Sequence, residues 1–70
     1  MGERITVIVN GIPVRIFRGM RVKHALIALD QKIYAAATEG RIWIEDAHGF
    51  RIGLEGALSD GTILKTRERT

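Results

Sequence analysis

VIVNGIPVRIFRGMRVKHAL, Val7 to Leu26, decides the fold. Two β-rich runs flank an Asn-Gly pair, a glycine follows, and the chain then changes to helical periodicity. Ile5 to Val9 reads ITVIV and Ile12 to Phe17 reads IPVRIF. Asn10-Gly11 between them is the strongest short hairpin signal, because a type I′ turn needs positive φ at both central residues. That turn fixes the register: Val9 faces Ile12, Val7 faces Val14 and Ile5 faces Ile16. These apolar side chains then share one face of the ribbon, with Thr6, Ile8, Pro13 and Arg15 on the other. Pro13 has no N–H to give a ladder, so its side of the second strand is expected to be an edge.

Outward from this stretch, Gly19 breaks the strand and Met20-Arg21 lead into a helix. Val22, Ala25, Leu26 and Leu29 recur at three- and four-residue spacing and form one apolar stripe. The spacing predicts a main helix from Met20 to about Asp30. Ile33, Tyr34 and Ala37 continue the pattern as a second helical segment after a break near Asp30-Gln31, with Gly40 as a stop. Arg41 to Glu45 reads as a third strand, Asp46 to Gly49 as a turn, and Phe50 to Leu54 as a weaker fourth strand. Glu55 to Gly61 is a loop ending in a Ser-Asp-Gly turn. Thr62 to Thr66 is a last short strand, and the charged tail Arg67 to Thr70 is expected to fray.

A helix that follows a hairpin must cover the ribbon's apolar face, which has no other partner. The last strand can then add in parallel beside the first, across the long connection the helix supplies. The expected architecture is α+β: a β-grasp, with a mixed sheet of four to five strands packed on one main helix. Its expected core is Ile5, Val7, Val14, Ile16, Val22, Leu26, Leu29, Leu58 and Ile63.

Composition bounds the chemistry. At 70 residues the chain reads as one domain; a chain this size buries only about 60% of its unfolded surface, so its stability is expected to be modest. It holds no cysteine, which removes disulfides, thiolate zinc sites and cysteine-ligated iron–sulfur clusters. The start, Met-Gly-Glu-Arg, passes at once into strand alternation, so no signal peptide is expected. Apolar runs are too short for a membrane span, and a cytoplasmic location is expected. Eleven bases against eight acids give a net charge of +3, a mixed surface that fits phosphate or acidic partners as readily as plain solubility.

The sequence resembles the β-grasp (ubiquitin-like) superfamily in three places. VNGIPVRIFRGMRVKHAL is similar to the strand–turn–strand–Gly–helix opening of sulfur-carrier proteins and of ferredoxin-like domains. GALSDGTILKT, Gly56 to Thr66, resembles the acidic-glycine turn and closing strand of sulfur carriers and of TGS domains. Glu45 to Gly49 matches the turn before the fourth strand. Two departures matter. Sulfur carriers act through a terminal Gly-Gly, whereas the sequence ends Glu68-Arg69-Thr70, so that chemistry would require a longer chain and processing. Plant-type ferredoxins need four cysteines, and the corresponding loop, DQKIYAAATEG, has none. What the resemblance then implies is a TGS-like or ligand-binding module, or a ferredoxin-like domain that has lost its cluster.

Candidate residues fall in two groups. Arg18, Arg21 and Lys23 sit at the helix start, where free N–H groups and the positive dipole end favour phosphate or carboxylate; Arg51 joins them as a further base. The competing reading is an ordinary solvated turn. The second group is a sheet face: Ile8, Arg15, Phe17 beside it, and Trp43. Trp43 alternates with Ile42 and Ile44 and so points away from the face they fill. There it would be an interaction hot spot or a stacking platform, unless it is the core residue and the isoleucines are the rim. His24 and His48 have no sequence-near partners to complete a metal set. No nucleophile–base pattern, phosphate loop or paired acid appears, and so small a domain has little room for an enclosed pocket.

The expectation is a non-catalytic binding module with no cofactor and no metal. It engages a protein partner, or a neighbouring domain, through the sheet face. A TGS-like nucleic-acid or anion-binding module is the alternative, and a relative of the sulfur carriers the third. No membrane partner is expected, and oligomeric state is left open.

Overall fold

A computed structural model describes residues 2–68. The order is β1 (Arg4–Val9), β2 (Ile12–Phe17), α1 (Val22–Leu29), α2 (Gln31–Thr38), β3 (Ile42–Asp46), β4 (Arg51–Ile52) and β5 (Ile63–Glu68). The class is α+β. One mixed sheet has the order β2-β1-β5-β3-β4, with β5 parallel to β1 and the other neighbours antiparallel.

The hairpin takes the expected register, Ile5 opposite Ile16, Val7 opposite Val14 and Val9 opposite Ile12. Asn10 (φ 52°) and Gly11 (φ 81°) supply the positive φ values of the turn. One member of the apolar face is not buried: Ile12 is 50% exposed. It lies at the turn end of β2, an edge strand with no neighbour on its outer side.

The helical region is two helices, not one main helix. Asp30 divides them with an extended backbone (φ −167°, ψ 118°). Its N–H still donates to Leu26 C=O (2.8 Å), closing α1, while its carboxylate accepts from Lys32 N–H (2.9 Å) at the start of α2. One residue thus closes the first helix with its backbone N–H and caps the next with its carboxylate.

Ile5, Val7, Val14, Ile16, Val22, Leu26 and Leu58 are buried as the pattern requires, joined by Val9, Ala25, Ile44 and Leu64. Leu29 is only partly buried. Ile63 is a correction. It is 43% exposed, and its neighbour Leu64 is fully buried. The parallel pairing aligns Leu64 with Val9, an inward residue, and Ile63 with Ile8, an outward one. β4 is shorter than its expected span, and Phe50 beside it is 70% exposed. β5 is longer: Arg67 and Glu68 pair with Trp43 and Ile42 rather than fraying. The rest of the expected frayed tail, Arg69 and Thr70, lies outside the described residues. No helix among the described residues is long and apolar enough to cross a membrane.

Candidate binding surface

The helices pack against one face of the sheet, α1 on β1 and β2 and α2 on β3. Strand alternation assigns the uncovered face. It carries Arg4, Thr6 and Ile8 from β1, Pro13, Arg15 and Phe17 from β2, Ile63, Lys65 and Arg67 from β5, and Trp43, Glu45 and Arg51 from β3 and β4. Five of these are bases (Arg4, Arg15, Arg51, Lys65, Arg67) and one is an acid (Glu45). The chain's net charge is +3, so the excess positive charge is gathered on the face the helices leave open.

All four residues expected on this surface lie on it, but they form two patches. Phe17 pairs with Arg4, Ile8 with Ile63, and Arg67 with Trp43. Counting along the strands places Phe17 and Trp43 eight residues apart, which is about 26 Å at the usual rise per strand residue. Ile8 sits between the two patches, and Arg15 belongs with Phe17.

At the Trp43 end the side chains satisfy one another. The Trp43 indole Nε1–H donates to Glu45 Oε2 (2.8 Å), Arg67 Nε donates to Glu45 Oε1 (3.0 Å), and the Arg51 guanidinium lies 5.5 Å from the Trp43 ring centroid. The indole hydrogen bond and then the Arg67 guanidinium hold the Glu45 carboxyl below its ordinary value. Trp43 is half-buried as a result of these neighbours. Arg51 is therefore part of this end of the sheet and not of the helix start.

The start of α1 is occupied by the chain itself. Val22 N–H donates to Gly56 C=O (3.1 Å) and Lys23 N–H to Leu54 C=O (2.9 Å). The Arg21 N–H donates to His24 Nδ1 (2.8 Å), which leaves Nε2 as the ring's donor. Arg18 pairs with Glu3 (2.8 Å) and Lys23 with Glu55 (2.6 Å). The Lys23 ammonium holds the Glu55 carboxyl below its ordinary value. Of the helix-start bases only Arg21 has no carboxylate within ion-pair distance among the described residues. An anion arriving here would have to displace existing carbonyl and carboxylate partners.

The Phe17 end is different. The Arg4 guanidinium lies 5.3 Å from the Phe17 ring centroid, and Phe17 remains 41% exposed. Beside it, between β2 and α1, runs an open groove of about 350 Å³, lined by Ile16, Phe17, Met20, Ile27 and Ala28 together with Arg4, Arg15 and His24. Sequence reasoning missed Met20, His24 and Ile27. The only signal for Ile27 was its place off the apolar stripe of a helix that packs on an edge strand. Lys65 escapes sequence reasoning because Ile63, on the same row of the strand, is expected in the core, and Arg67 because the expected strand ends at Thr66.

Among the described residues no group of three His, Asp or Glu side chains could hold a metal ion. No protein-family model matches the chain, and no curated protein matches it either.

Proposed function

We propose that the chain is a β-grasp binding module that engages an acidic protein surface through its uncovered sheet face. The β-grasp reading is supported by the strand order β2-β1-β5-β3-β4, with the first and last strands parallel at the centre and an opening hairpin packed under α1. The observation that carries the functional reading is the composition of the open face. Five bases and one acid share it with exposed Phe17 and Ile63, and exposed apolar groups among charges are what a partner surface offers. Electrostatic complementarity then selects acidic partners and speeds their encounter.

The TGS-like nucleic-acid reading is supported by the same bases together with two aromatics, Phe17 and Trp43. It is weakened at the helix start by the pairing of Arg18 and Lys23, and each aromatic ring already carries an arginine of its own. The sulfur-carrier reading has no support beyond the fold.

The test is retention of cellular proteins by the immobilised chain and by an Arg15→Glu, Lys65→Glu variant with an unchanged amide spectrum, with and without nuclease. A protein kept by the parent and lost by the variant supports the reading. Retention that survives the variant, or binding seen only when nuclease is omitted, overturns it.

A further inference from the structure

The open edge of β2 and the groove beside it together define an occupant. β1 uses its even-numbered backbone groups toward β5. Ile8 N–H donates to Thr62 C=O (2.8 Å), Asn10 N–H to Leu64 C=O (3.0 Å), and Thr6 C=O accepts from Gly61 N–H (2.7 Å). The odd-numbered groups of β1 therefore face β2, as the Arg18 N–H to Glu3 C=O bond (2.6 Å) confirms at the hairpin's open end. In β2 the residues that bond inward are then Ile12, Val14 and Ile16, and those that point outward are Pro13, Arg15 and Phe17. Phe17 C=O is taken by Met20 N–H (3.1 Å). What remains on the edge is Pro13 C=O, Arg15 N–H, Arg15 C=O and Phe17 N–H, with Pro13 marking where donors run out. An edge of this kind is a template for strand addition.

We infer that this edge binds an extended acidic peptide as an added strand, a site that rests on the binding-module reading above. Alternation in the added strand sets the peptide's chemistry. Side chains on the helix side enter the groove against Ile16, Met20 and Ile27, and these must be apolar. Side chains on the open side lie beside Arg15 and Arg4, which have no carboxylate within ion-pair distance among the described residues, and these must be acidic. The recognised pattern is alternating acidic and apolar residues. Main-chain bonds supply affinity in such docking and alternate side chains supply specificity. Pro13 limits the register to the Arg15–Phe17 end.

The probe is acetyl-Glu-Val-Glu-Ile-Glu-Val-Glu-amide, titrated into the isotopically labelled chain at low and moderate salt. The controls are the same peptide with Lys for Glu and one with its glutamates and apolar residues in separate blocks. The expected result is shifts centred on Arg15 to Phe17 and Ile27, and slowed amide exchange at Arg15 and Phe17. Both controls should bind at least about tenfold more weakly, because like charge or broken alternation removes the complementarity. Arg15→Pro removes the outward donor without taking an inward bond and should abolish binding. Ile27→Glu, on the exposed side of α1, should do the same by filling the groove with charge and covers the case in which the proline variant does not fold. Shifts confined to Ile8, Ile63 and Trp43 would overturn strand addition while leaving the binding-module reading in place. Equal binding of all three peptides, or of none, would overturn it as well. So would a dimer that protects the Arg15 and Phe17 amides without peptide, which would assign the edge to a second copy.

Discussion

The side chain of Asn10 closes onto Thr66 from 56 residues away, its Nδ2 donating to Thr66 Oγ1 (2.9 Å) and its Oδ1 accepting from Thr66 N–H (2.9 Å). The ladder between β1 and β5 holds just two residue pairs, and this amide lengthens it past the end of β1. Asn10 therefore has two roles. It accepts the positive φ of the turn, and it joins the first hairpin to the last strand.

The two roles separate under substitution. Asn10→Gly keeps the turn and loses the clasp, which should cost about 1 kcal/mol, the net worth of one or two partly exposed hydrogen bonds. Asn10→Ala loses the clasp and also leaves at a positive φ a residue without the short polar side chain that lets Asn tolerate the left-handed region, adding about 1 kcal/mol. Urea unfolding of the three proteins checks the order; equal stability of the glycine variant and the parent would show that the clasp contributes nothing.

The outward and inward rows of β5 should respond very differently to truncation. Leu64→Ala removes a fully buried side chain and should cost about 2–5 kcal/mol, enough to unfold much of a small domain at ambient temperature. Ile63→Ala lies on the open face and should cost under about 1 kcal/mol. Thermal unfolding monitored by circular dichroism distinguishes them.

That pair also shows where the sequence was legible. The Asn-Gly turn carries its own register, because turn geometry and alternation agree on both flanking strands, and every hairpin pair follows. Ile63-Leu64 has no such anchor. Two adjacent apolar residues in a strand whose turn does not set its phase leave the buried one undetermined, and only pairing with Val9 decides it. The break at Asp30 was visible as a short acidic residue between two apolar stripes, but nothing local required an extended backbone there. The candidate surface was half legible. Strand parity placed Ile8, Arg15, Phe17 and Trp43 on one face; the stagger of β1 against β5, which parts Phe17 from Trp43, is a long-range property. The occupation of the α1 start by Leu54 and Gly56 carbonyls is equally non-local.

Gly56 is held at that junction by crowding and not by its dihedral angles. A Cβ there would meet Gly53 O at 3.1 Å and Val22 Cγ2 at 3.4 Å, on the loop whose carbonyls receive the first N–H groups of α1. Gly56→Ala should cost about 1–2 kcal/mol through overpacking and a shifted helix start. At Gly53 a Cβ meets nothing within 4 Å, and Gly53→Ala should stay within about 0.5 kcal/mol of the parent. Amide exchange at Val22 and Lys23 reports the cause, rising in the first variant and not in the second.

Acid should loosen the Trp43 end of the sheet before it unfolds the rest. The indole N–H and Arg67 hold the Glu45 carboxyl below its ordinary value of 4.5, because both favour the ionised form. A carboxyl depressed in the folded state contributes stability that is fully present above its unfolded value and is lost as pH falls through the folded one. The loss from Glu45 therefore begins near pH 4.5 and proceeds below it. In a titration the Trp43 indole proton resonance should move with a midpoint under that value, as protonation of Glu45 weakens the Nε1–H hydrogen bond. Glu45→Gln keeps an amide oxygen for the indole but removes the titrating charge, and its indole resonance should stay flat across the same range. A midpoint at or above the ordinary carboxylate value in the parent would mean that the Trp43–Glu45–Arg67 chain of hydrogen bonds does not persist in solution.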